Sequence, residues 1–462
     1  MTAARLSRAA CQARPPAPVR LLHLGLGNFF RAHQAWYTDR VPDAEAWGYA
    51  AFAGRDTGLV PDLTVQEGLY TLVTRARDGD RFEVIASLSR AHTAGHHDAW
   101  LGYFRSPDLA LVTITITEAG YLLGAGGNLD TDRPEIQADL EVLRRDPDGP
   151  VRTAAGRLVA GIGARRRADA GPLALVPCDN VPGNGPRTAR MVRDLAELVD
   201  GELAAWLTEF VTVVTTVVDR ITPRTTLNDA QVVEDATGFD DRCPVVTEPF
   251  HEWVLGGAFP AGRPRWQDVG ATFTDDVTPF ERRKLWLLNG AHSLLAYAGS
   301  IRGHTTVAAA AADETCRGWL EEWWAVASVH LAQSDDGVAA YRAAVLERLG
   351  NTRINDQLER IAADGSQKLP IRILPVLRAE RAAHRVPLGA TRVLAAWICH
   401  LRGLGAAVHD ARAAEVVPLA QGPLSQAATR VLGWLEPSFG ADADVTAAVI
   451  DQSEQLAVLG RR

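Results

Sequence analysis

Residues 19–33 read VRLLHLGLGNFFRAH, and this stretch decides the fold of the first half of the chain. Residues 19–24 predict a short apolar strand, which the turn Gly25-Leu26-Gly27 joins to the start of a helix. This pattern is typical of a dinucleotide-binding fold, in which the glycines let the backbone approach a pyrophosphate at a helix N-terminus. Phe30 stands where the third glycine is expected, so the motif alone leaves an ordinary tight turn open as an alternative.

Further apolar segments, separated by helical stretches such as residues 186–208, predict a mainly parallel sheet. The predicted strands are residues 49–53, 110–121, 173–180 and 211–218. Because ligands of such sheets bind at the carboxyl ends of the strands, polar residues there are candidates for function. Asp179 and Asn180 end the third of these strands, and Asp219 follows the fourth. Each of them, taken alone, is also expected of a helix cap or a turn.

The residues that follow the predicted strand at residues 49–53 bear on the choice of cofactor. An acidic residue at this place holds the adenosine ribose of NAD, and Asp56 is available for that role. Arg55 beside it could instead meet the 2′-phosphate of NADP. The sequence therefore predicts NAD as the cofactor and leaves NADP open.

Residues 278–299, TPFERRKLWLLNGAHSLLAYAG, predict an apolar helix with polar residues set into it. Thr278 can act as its N-cap, Pro279 suits the first helical position, and Glu281 stands at the capping-box position. The helix is therefore expected to begin near Pro279.

The chain holds 48 basic residues, and all but Lys284 and Lys368 are arginine. A lysine can be deprotonated at a workable pH, whereas an arginine cannot. With α-helical geometry of about 100° per residue, Glu281, Asn289 and His292 project within one arc with Lys284, among leucines that would desolvate the amine. Lys284 is therefore the candidate general base. The simpler alternatives are a capping role for Glu281, a core role for His292, and a scarcity of lysine that reflects base composition.

From residue 278 onward the sequence reads as helix, with amphipathic stretches at residues 307–333, 338–349, 390–404 and 424–435. The predicted fold is α/β: an N-terminal Rossmann-type parallel-sheet domain, residues 1–277, followed by a mainly α-helical C-terminal domain, residues 278–462. Within the second domain, Arg360 and Lys368 lie close in sequence near a helix end, where Lys368 could simply cap the helix.

Composition excludes several classes of protein. A formal net charge of −8 argues against a nucleic-acid partner. Apolar runs are interrupted well short of the roughly 18 residues that a membrane span needs, and no signal-peptide pattern is present, which predicts a cytoplasmic protein. The five cysteines show no metal-ligand spacing and no disulfide pattern, so no metal site is predicted.

Six stretches follow one another along the chain: GLGNFFRAHQAWYTD, TITITEAGY, CDNVPGNG, VDRITP, KLWLLNGAH and DGSQKLPIR. In this order they closely resemble the mannitol dehydrogenase family of polyol dehydrogenases, fructuronate reductases and tagaturonate reductases. The resemblance implies a Rossmann-type domain, a helical domain, no metal, and an active site in the cleft between the two domains.

The resemblance also implies a role for single residues. The catalytic positions that it implies are Lys284, Asn289, His292, Asn180, Asp219 and Glu281. Among them Lys284 is the general base, Asn289 and Asn180 stabilise the oxyanion, and His292 binds substrate. Asp219 and Glu281 tune the base or its proton path. The implied binding positions are Arg360 and Lys368 for the polyol and Gly25, Gly27, Asn28 and Phe29 for the cofactor loop.

The predicted function is the NAD-dependent interconversion of a sugar alcohol and its ketose, of the mannitol and fructose type, without a metal ion. A fructuronate reductase, acting on an aldonate and its uronate, is the enzymatic alternative, and a sensor that binds NAD(H) without turnover is the other. Ala119 and the pair Gly256-Gly257 differ from what many relatives carry, which leaves the substrate open. A monomer and a small homo-oligomer both fit the sequence.

Overall fold

The computed structural model describes residues 3–54, 58–124 and 126–460. Its backbone divides between Val277 and Thr278 into two compact units, Met1–Val277 and Thr278–Arg462. No helix in these described ranges is long and apolar enough to cross a membrane.

The first unit is built on a six-stranded sheet in which all strands are parallel. Its strands are β1 (Val19–Leu24), β2 (Gly48–Phe52), β3 (Leu88–His92), β4 (Leu111–Ile114), β5 (Leu173–Pro177) and β6 (Val211–Val213). They lie in the order β3-β2-β1-β4-β5-β6. This is the order of a dinucleotide-binding sheet, whose ligand crevice opens where the order reverses, beside β1 and β4. β5 is buried along its whole length, because helices cover both faces of the sheet.

Two predicted strands differ from the observed ones. The strand predicted at residues 110–121 ends at Ile114, and Glu118–Tyr121 forms a 3-10 turn. The strand predicted at residues 211–218 is two strands, because Thr215–Asp219 leaves the parallel sheet and pairs antiparallel with Glu252–Gly256. Runs of Val, Ile and Thr favour extended backbone wherever they lie, so they do not reveal where the chain changes partners.

The remaining strands of the first unit form small sheets at its periphery. They are Ala4–Arg5, Tyr70–Ala76, Gly79–Ile85, Thr215–Asp219, Phe239–Asp240, Val245–Thr247, Glu252–Gly256 and Thr272–Phe273. Its α-helices are Asn28–Ala32, Gln34–Arg40, Leu59–Val65, His97–Phe104, Pro134–Arg145, Ala154–Arg167, Asn184–Val199, Gly201–Phe210 and Leu227–Thr237. The helical stretch predicted at residues 186–208 is two helices, because Asp200 ends the first and caps the second.

The second unit is helical throughout. Its first helix runs through Thr278–Arg283, Lys284–Asn289, Gly290–Leu294 and Leu295–Gly299, the second and fourth of which are π-helical. The other helices are Val307–Ala312, Glu314–Ser328, Asp335–Leu349, Leu358–Ala362, Gly365–Arg372, Leu374–Ala382, Leu388–Leu401, Ala413–Leu419, Leu424–Leu435, Pro437–Ala441 and Ala443–Leu459. Leu388–Leu401 is buried on all sides beyond its first residue and forms the centre of this unit.

Candidate active site

The helix at residues 278–299 carries most of the predicted catalytic residues, and its geometry differs from the expectation. It begins at Thr278, so the predicted cap residue is already helical. From Lys284 to Asn289 the backbone is π-helical. In an α-helix these two residues would point about 140° apart. The i→i+5 bonding of a π-helix admits more residues per turn, so the angle between Lys284 and Asn289 is smaller than in an α-helix. The prediction assumed α geometry along the whole helix, which is wrong for this segment, and the roles of the four residues stay predictions.

Two tryptophans of the helix Glu314–Ser328 donate to this irregular segment, which we call the π segment, Lys284–Asn289. The indole Nε1 of Trp323 lies 2.8 Å from the carbonyl oxygen of Trp286, and that of Trp324 lies 2.8 Å from the carbonyl oxygen of Leu287. A Cβ on Gly290 would lie only 2.7 Å from the Trp323 Nε1. Gly290 therefore stands in a helix interior because Trp323 packs directly against its backbone.

Arg372 makes the third contact to the end of the π segment. Its Nη1 donates to the carbonyl oxygen of Asn289 at 3.3 Å and to the Ser293 hydroxyl at 3.1 Å. Burial lowers the pKa of Arg372 to about 10. We did not single out Arg372 from the sequence. A signal was present, since it lies four residues after Lys368 and so on the same helix face.

The four predicted residues on this helix differ in how exposed their side chains are to solvent. Lys284 and Asn289 are each 7% exposed, whereas Glu281 and His292 are half-buried. Burial disfavours the charged form of an amine, which is the condition for using lysine as a base. Lys284 is thus a buried residue, and its role as the base stays a prediction.

The two predicted polyol-binding cations have different surroundings. The Lys368 amine donates to the carbonyl oxygens of Ile361 at 3.2 Å and Ala363 at 2.5 Å, and so caps the end of the preceding helix. Burial, and then the charge of Arg372, lowers the pKa of Lys368 to about 8. The Arg360 side chain is 69% exposed and pairs with Asp356, which lies four residues earlier and before the helix Leu358–Ala362. Their roles in substrate binding stay predictions.

In the first unit, the turn after β1 depends on its glycines. Gly25 has a φ of +112°, and a Cβ there would lie 2.0 Å from the carbonyl oxygen of Thr115, so only glycine fits. At Gly27 a Cβ would meet nothing closer than 3.7 Å, which leaves open space beside the backbone. Phe30, in place of the third glycine, is fully buried and stacks on the His23 ring at 3.7 Å. The turn fits a dinucleotide although the motif is incomplete.

The side chains after this turn are held by the protein itself. The Asn28 amide donates to the Thr225 hydroxyl at 3.1 Å and accepts from the Arg31 guanidinium at 2.7 Å. Phe29 is half-buried, and its ring stacks on that of His33. The predicted ribose and phosphate contacts, Arg55 and Asp56, lie outside the described residues.

Asn180 is exposed and lies in the turn that follows β5. Its neighbour Asp179 is buried and accepts a hydrogen bond of 2.6 Å from the Tyr121 hydroxyl. Burial raises the pKa of the Asp179 carboxyl to about 7, against the opposing effect of this bond. The Tyr121 contact therefore ties the turn that bears Asn180 to the 3-10 turn after β4.

Asp219 is 3% exposed, and it ends a strand of the peripheral mixed sheet rather than of the parallel one. The expectation that it stands at the tip of a parallel strand is therefore wrong. Arg220, next in the chain, donates to the carbonyl oxygens of Ala32 and Glu248. Its guanidinium lies over the Trp36 ring, so the backbone at Asp219 is firmly held.

His304, Asp313 and Cys316 place potential metal-ligand atoms within 4.8 Å of one another. The Asp313 carboxylate, however, pairs with Arg302 at 2.7 Å and accepts from the backbone N–H of Cys316, capping the helix Glu314–Ser328. Burial raises the pKa of the Cys316 thiol to about 12, which opposes the thiolate that a metal needs. This cluster has the contacts of a helix cap.

Two family models match the chain: the mannitol dehydrogenase Rossmann domain over residues 19–268 and the mannitol dehydrogenase C-terminal domain over residues 276–432. The chain is 39% identical over 390 residues to D-arabinitol 4-dehydrogenase of Ralstonia nicotianae, which covers 82% of each chain. It is 36% identical over 372 residues to D-mannonate oxidoreductase of Escherichia coli, which covers 78% of this chain and 75% of the relative.

A solved structure resembles the whole chain. Mannitol 2-dehydrogenase of Pseudomonas fluorescens, in a ternary complex with NAD and D-mannitol, superposes with a TM-score of 0.82 and 31% identity, covering 96% of this chain and 94% of that one. The predicted Rossmann-type domain followed by a helical domain is confirmed. The chain belongs to the mannitol dehydrogenase family.

Proposed function

We propose that the protein is an NAD-dependent dehydrogenase that interconverts a secondary alcohol of a sugar alcohol and the corresponding ketose, as mannitol and fructose are interconverted. Its family makes it an oxidoreductase acting on CH–OH groups. The finer proposal is supported by the π segment, which carries a buried amine at Lys284 and a buried carboxamide at Asn289.

The first unit supports NAD as the cofactor. The crevice beside β1 and β4 is where sheets of this order bind a dinucleotide, and Gly25 and Gly27 keep the backbone there clear of side chains. When bound, NAD would accept the hydride from the carbinol carbon. NADP stays open, because Arg55 and Asp56 would decide between the two.

In the proposed reaction, neutral Lys284 takes the proton of the reacting hydroxyl group. The amides of Asn289 and Asn180 donate to the oxygen on which negative charge develops. His292 binds the substrate, and Asp219 and Glu281 adjust the base or its proton path. Because an amine removes the proton and amides hold the oxyanion, the proposal needs no metal ion.

The substrate is a sugar alcohol in the first candidate function and a sugar acid in the second. The relatives named above act on arabinitol, mannonate and mannitol, and we favour a neutral polyol. A fructuronate reductase is the second candidate, and one observation favours it. The predicted substrate-contacting positions, Arg360 and Lys368, are both basic residues. Such cations would suit a substrate carboxylate.

The proposal describes a cytoplasmic enzyme of small molecules, without a nucleic-acid or membrane partner. The cysteines Cys11, Cys178, Cys243, Cys316 and Cys399 are all free thiols, which persist in a reducing compartment. The net charge of −8 gives no general attraction to nucleic acid.

The test is NADH oxidation with fructose and with fructuronate side by side, and with NADPH as the cofactor control. We expect turnover with fructose. Turnover with fructuronate alone would replace the polyol assignment by the uronate one. Tight NADH binding without turnover of either ketose would contradict the enzymatic proposal for these substrates and favour the sensor.

A further inference from the structure

We propose that Arg372, together with Trp323 and Trp324, positions Lys284 and Asn289 by holding the π segment in its irregular geometry. All three side chains act through the backbone of the helix at residues 278–299, so they are positioning residues. The inference rests on the proposed function, since it assigns to these contacts the task of aligning the base with the oxyanion donor.

The contacts are unusual for a helix interior. Backbone carbonyls of a helix ordinarily bond only to N–H groups of the same helix. Here the carbonyls of Trp286, Leu287 and Asn289 accept from the two indoles and from the Arg372 guanidinium, respectively. Where the i→i−4 ladder is interrupted, outside donors of this kind stabilise the altered hydrogen bonding. Three donors therefore reach one segment of six residues.

The geometry that these donors stabilise has a chemical consequence. If the segment relaxed to an α-helix, Asn289 would turn to point about 140° away from Lys284. The Asn289 amide would then be displaced relative to the Lys284 amine. The π geometry thus matters for catalysis rather than for the fold, since an α-helix would bury the same leucines.

Among the three positioning residues, Arg372 is the most suitable for testing the inference by substitution. One nitrogen, Nη1, makes both of its hydrogen bonds, and its Nε is buried without a hydrogen-bond partner among the described residues. Among the described residues, the ionisable groups whose charges interact with Arg372 are Tyr297 and Lys368, and neither is a counter-ion. Keeping a cation partly buried without a counter-ion costs free energy, which a positioning role would explain.

The experiment compares Arg372→Ala, Arg372→Lys and Trp323→Phe in the full-length enzyme. The matched control is Arg402→Ala, which removes an arginine of the same unit that also donates to two backbone carbonyls, those of Ala420 and Gly422. For each variant the measurements are kcat and KM for the ketose, the Kd for NADH, and the Tm. Arg372→Ala is also assayed with added ethylguanidinium.

We expect Arg372→Ala to lower kcat by about 10²-fold, because a displacement near 1 Å at a reacting group has an effect of this size. The KM for the ketose and the Kd for NADH should change by less than about threefold, since uniform binding is untouched. Ethylguanidinium should restore part of kcat, Arg372→Lys should be nearly as slow as Arg372→Ala, and Trp323→Phe should be slower than the control.

A kcat within threefold of the wild type for Arg372→Ala would overturn the inference. So would a loss of kcat that ethylguanidinium does not relieve and that follows Tm equally in the Arg402→Ala control. A crystal structure of Arg372→Ala distinguishes failure of the positioning role from failure of the proposed function. A retained π segment with full kcat refutes the positioning role alone, whereas an active Lys284→Ala variant refutes the proposed base.

Discussion

Lys284 and Lys368 are the only lysines of the chain, and the two regions that hold them differ in kind. Lys368 is half-buried on the helix Gly365–Arg372, and its amine caps the end of another helix. Lys284 is buried at the start of a π segment whose carbonyls receive donors from other helices. Irregular backbone that needs outside contacts is typical of functional sites, whereas capping is common. Both residues stand out because lysine is rare in the chain. They differ in their surroundings, since Lys368 caps a helix and Lys284 lies in the π segment.

The largest effect is expected from removing the amine of Lys284, the proposed base. Lys284→Ala should lower kcat/KM by at least about 10³-fold, because a general base typically accelerates the reaction by a factor of about 10²–10⁴. The Kd for NADH, measured by fluorescence titration, should stay unchanged. The control is Arg282→Ala, an exposed residue of the same helix. A Lys284→Ala enzyme with more than a tenth of wild-type activity would remove the distinction between the two lysines.

The next effect tests Lys368 as a binding residue. Lys368→Ala should raise the KM for the substrate about tenfold and change kcat by less, because it removes binding common to ground state and transition state. Steady-state kinetics at saturating NADH would measure both parameters. If kcat instead fell as far as in Lys284→Ala, the division into a base and a binding residue would be wrong.

The smallest effect is a pH dependence of stability. The folded-state pKa of Lys368 is lowered to about 8, so between that pH and the ordinary lysine value the unfolded chain binds more protons than the folded one. Its contribution therefore becomes more favourable as pH rises through this window. Relative to Lys368→Met, the wild type should gain about 1–3 kcal/mol of unfolding free energy between pH 8 and pH 10. Urea unfolding at the two pH values would measure the difference, and an equal change in both proteins would contradict it.

Much of the first unit could be predicted from local sequence. The turn at Gly25 follows a buried strand, and its glycine is required by a single close contact to Thr115. A run such as residues 173–177 is apolar without alternation, which is the pattern of a parallel strand buried on both faces. Such features depend on neighbours in the chain or on burial alone, which a pattern of residue types records.

The predictions of secondary structure that were wrong concern segments whose contacts are with residues distant in sequence. At Val214 the chain passes from the parallel sheet to an antiparallel pairing with Glu252–Gly256, and nothing in the run of β-branched residues marks that change. The π segment likewise depends on Trp323, Trp324 and Arg372, which lie 37, 37 and 83 residues from the carbonyls they contact. The sequence of residues 278–299 predicts a regular helix because these partners lie on other helices.

By itself the sequence determined the kind of chemistry: a titratable amine and a carboxamide on one helix, after a glycine turn suited to a dinucleotide. It also determined which residues are apolar enough to form the parallel sheet and the helical unit, because burial follows from residue type. Only the tertiary structure decided that the backbone from Lys284 to Asn289 is π-helical, which sets the relative direction of these two residues. Their relative direction depends on the register of backbone hydrogen bonds, and side chains from other helices, Arg372 among them, donate to the carbonyls of that segment.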